Sequence, residues 1–227
     1  MEEVLENGEK RIIASPHLVP KTAILDPNLT LMLPPILTAA TGMDAISHCI
    51  EAILSPNINP SAEAIGINGI EQALGQKALM SAFKEGNNID ARMKMLIVST
   101  QGAMAFSKGL GAVHSMSHAI GANQELGLHH GTLNAVILPS VLRFNQDHVG
   151  NKYSRIARAM GKSETINLAA EIEKLNEKIG MPSNLEEMGV TEDMIPDLIT
   201  HAMTDPSNIT TPRVPSLEEW EKLFLEA

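Results

Sequence analysis

From Thr38 almost to the C-terminus, apolar residues recur at three- and four-residue steps, the period of helices with one buried face. Met43, Ile46, Cys49, Ile50 and Ile53 form the stripe of a first helix predicted over about 42–54, which Ser55-Pro56-Asn57 stops. A second is predicted after Pro60, with Ser61 as N-cap and Glu63 in its first turn, continuing to about Lys84. Asp90 is read as the cap of a third, which runs through Met93, Leu96, Ile97 and Met104 toward Ser107 and is closed by Gly109-Leu110-Gly111. The same period predicts helices over 112–120 and, despite Pro139, over 133–145, with a Gly- and His-rich loop at 121–131 between them. More polar helices follow near 151–160, 164–179, 191–203 and 216–226.

Residues 11–36 read differently. RIIAS and KTAILDP are short β-branched runs broken by Pro16, Pro20 and Pro27, and they predict two strands and a linker ahead of Pro34-Pro35. The expected architecture is mainly α, with a short β appendage over residues 1–34 and an all-α bundle over 35–227.

Composition sharpens this picture. Six aromatic residues against 13 methionines and many Ala, Ile and Leu make the core aliphatic and disfavour a sandwich or barrel. Seventeen basic against 27 acidic residues give a formal charge of −10, which opposes nucleic acid and anionic membranes as partners. The single cysteine, Cys49, excludes an intramolecular disulfide and suits a reducing compartment, so a cytoplasmic protein is expected. The start MEEVLENGEK lacks the features of a secretory signal, and no apolar run approaches the ~18 residues that span a bilayer.

The candidate chemistry lies in the histidines. Asp44 and His48 are four apart on one helix, and His114 and His118 repeat that spacing on another, so each pair shares a face. His129-His130-Gly131 follows in the loop. Carboxylate oxygen with imidazole nitrogen and no thiolate suits Fe²⁺ or Zn²⁺ in a catalytic site. Each feature alone also fits a plain alternative: a helix-surface pair, buried core histidines, or a solvated turn. Gly161-Lys162-Ser163 lacks the first glycine of a phosphate loop, and Gly109-Leu110-Gly111 lacks the third of a dinucleotide fingerprint.

Taken together, DPNLTLMLPPILTAATGMDAISHCIEA, GLGAVHSMSHAIGA, HHGTLNAVILP and the late TPR resemble the iron-containing alcohol dehydrogenases in order and spacing, over nearly the whole chain. The resemblance implies the helical, dehydroquinate synthase-like C-terminal domain of such an enzyme. It also implies that an N-terminal α/β half holding the dinucleotide is largely missing, so that residues 1–34 are its last strands and the chain alone neither binds nicotinamide tightly nor oxidises alcohols. An apolar face left exposed would then favour self-association into a homo-oligomer. Carried over residue by residue, the metal ligands are Asp44, His48, His114 and His130; His130, rather than His129, directly precedes the glycine as the family's ligand does, although the family usually has Pro-His-Gly there. His118 matches a histidine near nicotinamide and substrate, and Lys10 a lysine that approaches the cofactor. The implied cofactors are a divalent metal, Fe²⁺ with Zn²⁺ as the alternative, and NAD or NADP. The implied reaction is hydride transfer between a small alcohol and an aldehyde or ketone, with the ion stabilising an alkoxide and His118 relaying the proton. Two rivals stay open: a His/Asp metal-dependent hydrolase, which lacks a His-Glu-x-x-His motif because Ser115 follows His114, and a non-catalytic structural or assembly module.

Overall fold

The computed structural model describes residues 2–4, 10–12 and 15–227, the first two segments by their backbone alone. Strand β1 (Glu2–Val4) pairs antiparallel with β2 (Lys10–Ile12), with Glu3 opposite Arg11. Of RIIAS, Arg11 and Ile12 lie in β2, and Ile13 and Ala14 are outside the described residues. KTAILDP forms no strand: residues 20–26 lack regular structure and lead into a 3-10 turn, Pro27–Thr30, capped by Asp26, whose carboxylate accepts from Asn28 N at 2.9 Å. Closely spaced prolines remove the donors a strand ladder needs.

Ten α-helices follow among the described residues: α1 (Pro35–Leu54), α2 (Pro60–Ile70), α3 (Ala78–Lys84), α4 (Ile89–Ala105), α5 (Ala112–Gly121), α6 (His130–Asn145), α7 (Lys152–Ala159), α8 (Leu168–Lys178), α9 (Ile195–Thr204) and α10 (Leu217–Glu226). Helix α1 is the central post, buried on most of its surface and packed against α2, α4 and α6. It starts seven residues before the predicted Gly42, because Pro35 sits in the first turn, where a missing N–H costs nothing. The predicted second helix is split. After Ile70 a π-helical turn, Glu71–Gly75, and Lys77 in the left-handed region (φ 61°) redirect the chain into α3. Its cap is Asn59, accepting from Ala62 N at 3.1 Å, and the cap of α4 is Asn88, accepting from Ala91 N at 3.0 Å. The expected caps Ser61 and Asp90 lie inside first turns instead. No helix among the described residues is long and apolar enough to cross a membrane.

Two polar devices hold the bundle together. Pro139 cannot donate to the carbonyl of Ala135, and Asn176 of α8 donates to that carbonyl at 2.6 Å, so the proline is accommodated. At the C-terminus of α1, Lys108 Nζ donates to Ala52 O, Ile53 O and Ser55 O at 2.9–3.0 Å and pairs with Glu63 at 2.9 Å, while Lys152 donates to Leu54 O and Ser55 O at 2.8 Å. Two ammonium groups thus satisfy the carbonyls that a helix end leaves open. Lys108→Met keeps the stem but strips these acceptors and Glu63 of their donor, and is expected to cost about 3 kcal/mol of folding stability in urea titrations. A loss below about 1 kcal/mol would mean that the cluster is already satisfied by Lys152 and water.

Candidate metal centre

Asp44 and His48 lie one turn apart on α1, and His114 on α5 faces them; one ligand atom from each of the three lies within 4.8 Å of the others. His130, in the first turn of α6, brings Nε2 to 3.5 Å from Asp44 Oδ1, and His114 Nε2 is 3.8 Å from the same oxygen. His129 is the N-cap residue of α6 and is exposed. The approach of α6 to α1 depends on Gly131, where a Cβ would stand 2.3 Å from Ala40 O. All four side chains named from the sequence therefore converge where α1, α5 and α6 meet. Lys10 lies on β2, and its side chain is outside the described residues.

The ring orientations follow from what each Nδ1 touches. His48 Nδ1 is 2.8 Å from the carbonyl of Asp44, which can only accept, so Nδ1 carries the hydrogen. His114 Nδ1 lies 2.6 Å from Glu51 Oε2. His130 Nδ1 faces Ser117 Oγ at 3.5 Å, whose own hydrogen is directed to His114 O at 3.2 Å. His118, one turn beyond His114, directs Nδ1 at Asp205 Oδ2 at 2.9 Å and stacks on His130 with ring centroids 5.3 Å apart. Asn134, one turn into α6, donates to Asp44 Oδ1 at 2.6 Å and sits 3.3 Å from His114 Nε2 and 3.1 Å from His130 Nε2; its buried Oδ1 has no hydrogen-bond partner.

Burial sets the electrostatics. The His114 ring, 1% exposed, is held well below the usual histidine range by desolvation, reinforced by neighbouring His48, so it is neutral, the form a metal requires. Burial also pushes Glu51 up to about 7, against the opposing pull of backbone N–H groups at the start of α5. At Asp205 burial pushes upward too, but the His118 contact and the Ser207 N–H outweigh it and hold this carboxyl below its ordinary value. One carboxylate and three imidazoles at this spacing are a fitting donor set for a borderline divalent cation.

The sequence reading passed over Glu51, Asn134 and Asp205. Glu51 and Asn134 had a local signal, since Glu51 continues the Asp44/His48 face and Asn134 lies four residues after His130. Asp205 had none: it is separated from His118 by 87 residues and reaches it only because α9 packs on α5.

Comparison with known proteins agrees with this architecture. Residues 38–227 match the sequence profile of the Fe-containing alcohol dehydrogenase family, C-terminal. The chain is 44% identical to 4-hydroxybutyrate dehydrogenase of Cupriavidus necator over 97% of its own length and 59% of that protein. It is 36% identical to 1,3-propanediol dehydrogenase of Klebsiella pneumoniae over 99% and 60% of the two chains. It thus spans about three-fifths of the curated relatives it matches. Among solved structures it superimposes on an archaeal halo-thermophilic Red Sea brine pool alcohol dehydrogenase with a TM-score of 0.89 and 27% identity, covering 99% of this chain and 60% of that one. For a 1,3-propanediol oxidoreductase the TM-score is 0.83 and the identity 35%, over 88% and 54%. By this match the chain belongs to the iron-containing alcohol dehydrogenase family, whose C-terminal region it carries.

Proposed function

We propose that this protein acts as a metal-dependent alcohol dehydrogenase, exchanging hydride between a small alcohol and NAD or NADP, with Asp44, His48, His114 and His130 holding one divalent cation. The observation that carries the reading is the convergence of three histidines on the Asp44 carboxylate: Nε2 of His114 and of His130 lie 3.8 and 3.5 Å from Oδ1 while their Nδ1 atoms face a carboxylate and a hydroxyl, and the His48 ring stands one turn from Asp44 on the same helix. Fe²⁺ is the proposed occupant, and the same donors suit Zn²⁺. When bound, the cation supplies positive charge that stabilises negative charge developing on a substrate oxygen.

This chain's own residues divide the remaining work. His118, with Nδ1 held by Asp205, accepts the alcohol proton at Nε2 and returns it in the reverse direction. The hydride leaves the carbinol carbon for the nicotinamide, so the alcohol is oxidised and the dinucleotide reduced, with the proton accounted for at His118. Asn134 steadies Asp44 through its 2.6 Å hydrogen bond. Lys10 is proposed to approach the dinucleotide, and residues 1–34 to belong with the part of the enzyme that binds it, ahead of the metal-binding helices of 35–227. The names 4-hydroxybutyrate and 1,3-propanediol both denote short molecules with a terminal hydroxyl, which supports a small primary alcohol as substrate. The single cysteine supports a reducing, cytoplasmic setting.

The test is metal-dependent turnover by the complete enzyme. Chelation should abolish alcohol-dependent nicotinamide reduction, and Fe²⁺ or Zn²⁺ at one ion per chain should restore it. Undiminished activity after chelation to below a tenth of an ion per chain would overturn the proposal.

A further inference from the structure

We propose that Glu51 is the positioning residue for His114, an acceptor-only carboxylate that fixes the ring with hydrogen on Nδ1 and Nε2 turned toward Asp44. The inference rests on the reading of His114 as a metal ligand. Glu51 lies on α1, three residues after His48, and is 4% exposed. Its carboxylate crosses to the N-terminus of α5, where Oε1 accepts from Val113 N at 2.8 Å and Oε2 faces His114 N at 3.4 Å and His114 Nδ1 at 2.6 Å. Helix α5 has no side-chain cap of its own, because its N-cap residue is Gly111. A Cβ there would stand 2.8 Å from Glu51 Oε1, so the glycine admits the carboxylate and Glu51 serves as the cap from another helix.

This geometry ties two jobs to one group. Anchored on the backbone of α5, the carboxylate cannot follow the ring, so the ring must align with it. In its ionised form Glu51 offers only acceptors to Val113 N, His114 N and His114 Nδ1, and the hydrogen on His114 is thereby assigned to Nδ1. An amide could not do this. Gln in the same place offers one acceptor and one NH₂; turned one way its NH₂ meets the Val113 N–H, and turned the other way it donates to Nδ1 and moves the ring hydrogen to Nε2. A carboxylate behind the ring also makes Nε2 a better donor to a cation.

The test combines histidine ¹⁵N–¹H correlation spectra of the metal-free protein with Zn²⁺ affinity measured by chelator competition, for the wild type, Glu51→Gln, Glu51→Asp and His114→Ala. The wild type should show His114 with hydrogen on Nδ1. Glu51→Gln should shift it to Nε2 and weaken Zn²⁺ binding by about 10–100-fold, and Glu51→Asp, which keeps the acceptor-only character, should restore the Nδ1–H form. A wild-type His114 carrying its hydrogen on Nε2 overturns the proposal without any variant. So does a Glu51→Gln protein with an unchanged tautomer and an affinity within about threefold of wild type. Equal Zn²⁺ binding by wild type and His114→Ala would instead remove the metal reading, leaving the tautomer spectra to judge Glu51 alone.

Discussion

Replacing His48 and His114 together by alanine is expected to abolish divalent metal binding and, in the complete enzyme, alcohol-dependent hydride transfer. The two rings supply half of the proposed donor set, from different helices, and Asp44 with His130 cannot enclose a cation from one side. Loss of an outer partner alone typically weakens metal sites by about 10–100-fold, so losing two inner donors should exceed ~10²-fold. The variant should also be less stable. With His114 gone, buried Glu51 loses its 2.6 Å partner and keeps only backbone donors, which is expected to cost about 3 kcal/mol. His48→Ala alone separates the effects, since that ring is partly exposed and its Nδ1 faces Asp44 of its own helix rather than Glu51. Elemental analysis after reconstitution and dialysis gives the answer, with circular dichroism to verify folding. One ion per chain retained by the double variant would exclude this site.

His118→Ala is expected to behave in the opposite way, keeping its metal while turnover falls about 10²–10⁴-fold, the usual contribution of a positioned proton-transfer group. The ring sits one turn beyond His114, but its Nδ1 is engaged by Asp205 at 2.9 Å rather than by a group of the Asp44 cluster. Asp205→Asn should reproduce part of the loss, because an amide can donate to Nδ1 and leave the hydrogen on Nε2, the atom that must accept the proton. Metal loss in His118→Ala would move this ring into the ligand set. Unchanged metal and unchanged turnover would make it a packing residue.

Several features were legible in the chain because their physics is local. The 3.6-residue period marks every helix that buries one face, and a four-residue spacing places Asp44 with His48 and His114 with His118 on common faces wherever the helices pack. Element ends were read less well for equally local reasons. Asn59 and Asn88 compete with Ser61 and Asp90 for the cap, and the winner depends on which residue leaves helical dihedrals first. Thr38, Ala39 and Ala40, ahead of the predicted start at Gly42, are buried in the early turns of α1, and α6 packs on Ala40 across Gly131.

By itself, then, the sequence determined a helical bundle, two histidine-bearing faces and a His-Gly loop, since periodicity and spacing need no partner. Only the tertiary structure decided that these faces meet, that His130 rather than exposed His129 turns toward Asp44, and that Glu51, Asn134 and Asp205 stand behind the rings. KTAILDP, a strand by composition, remained unpaired for the same reason: a strand requires a neighbour, and among the described residues none lies beside it. Contacts such as the one between His118 and Asp205, 87 residues apart, are set by how helices pack, and no local pattern encodes them.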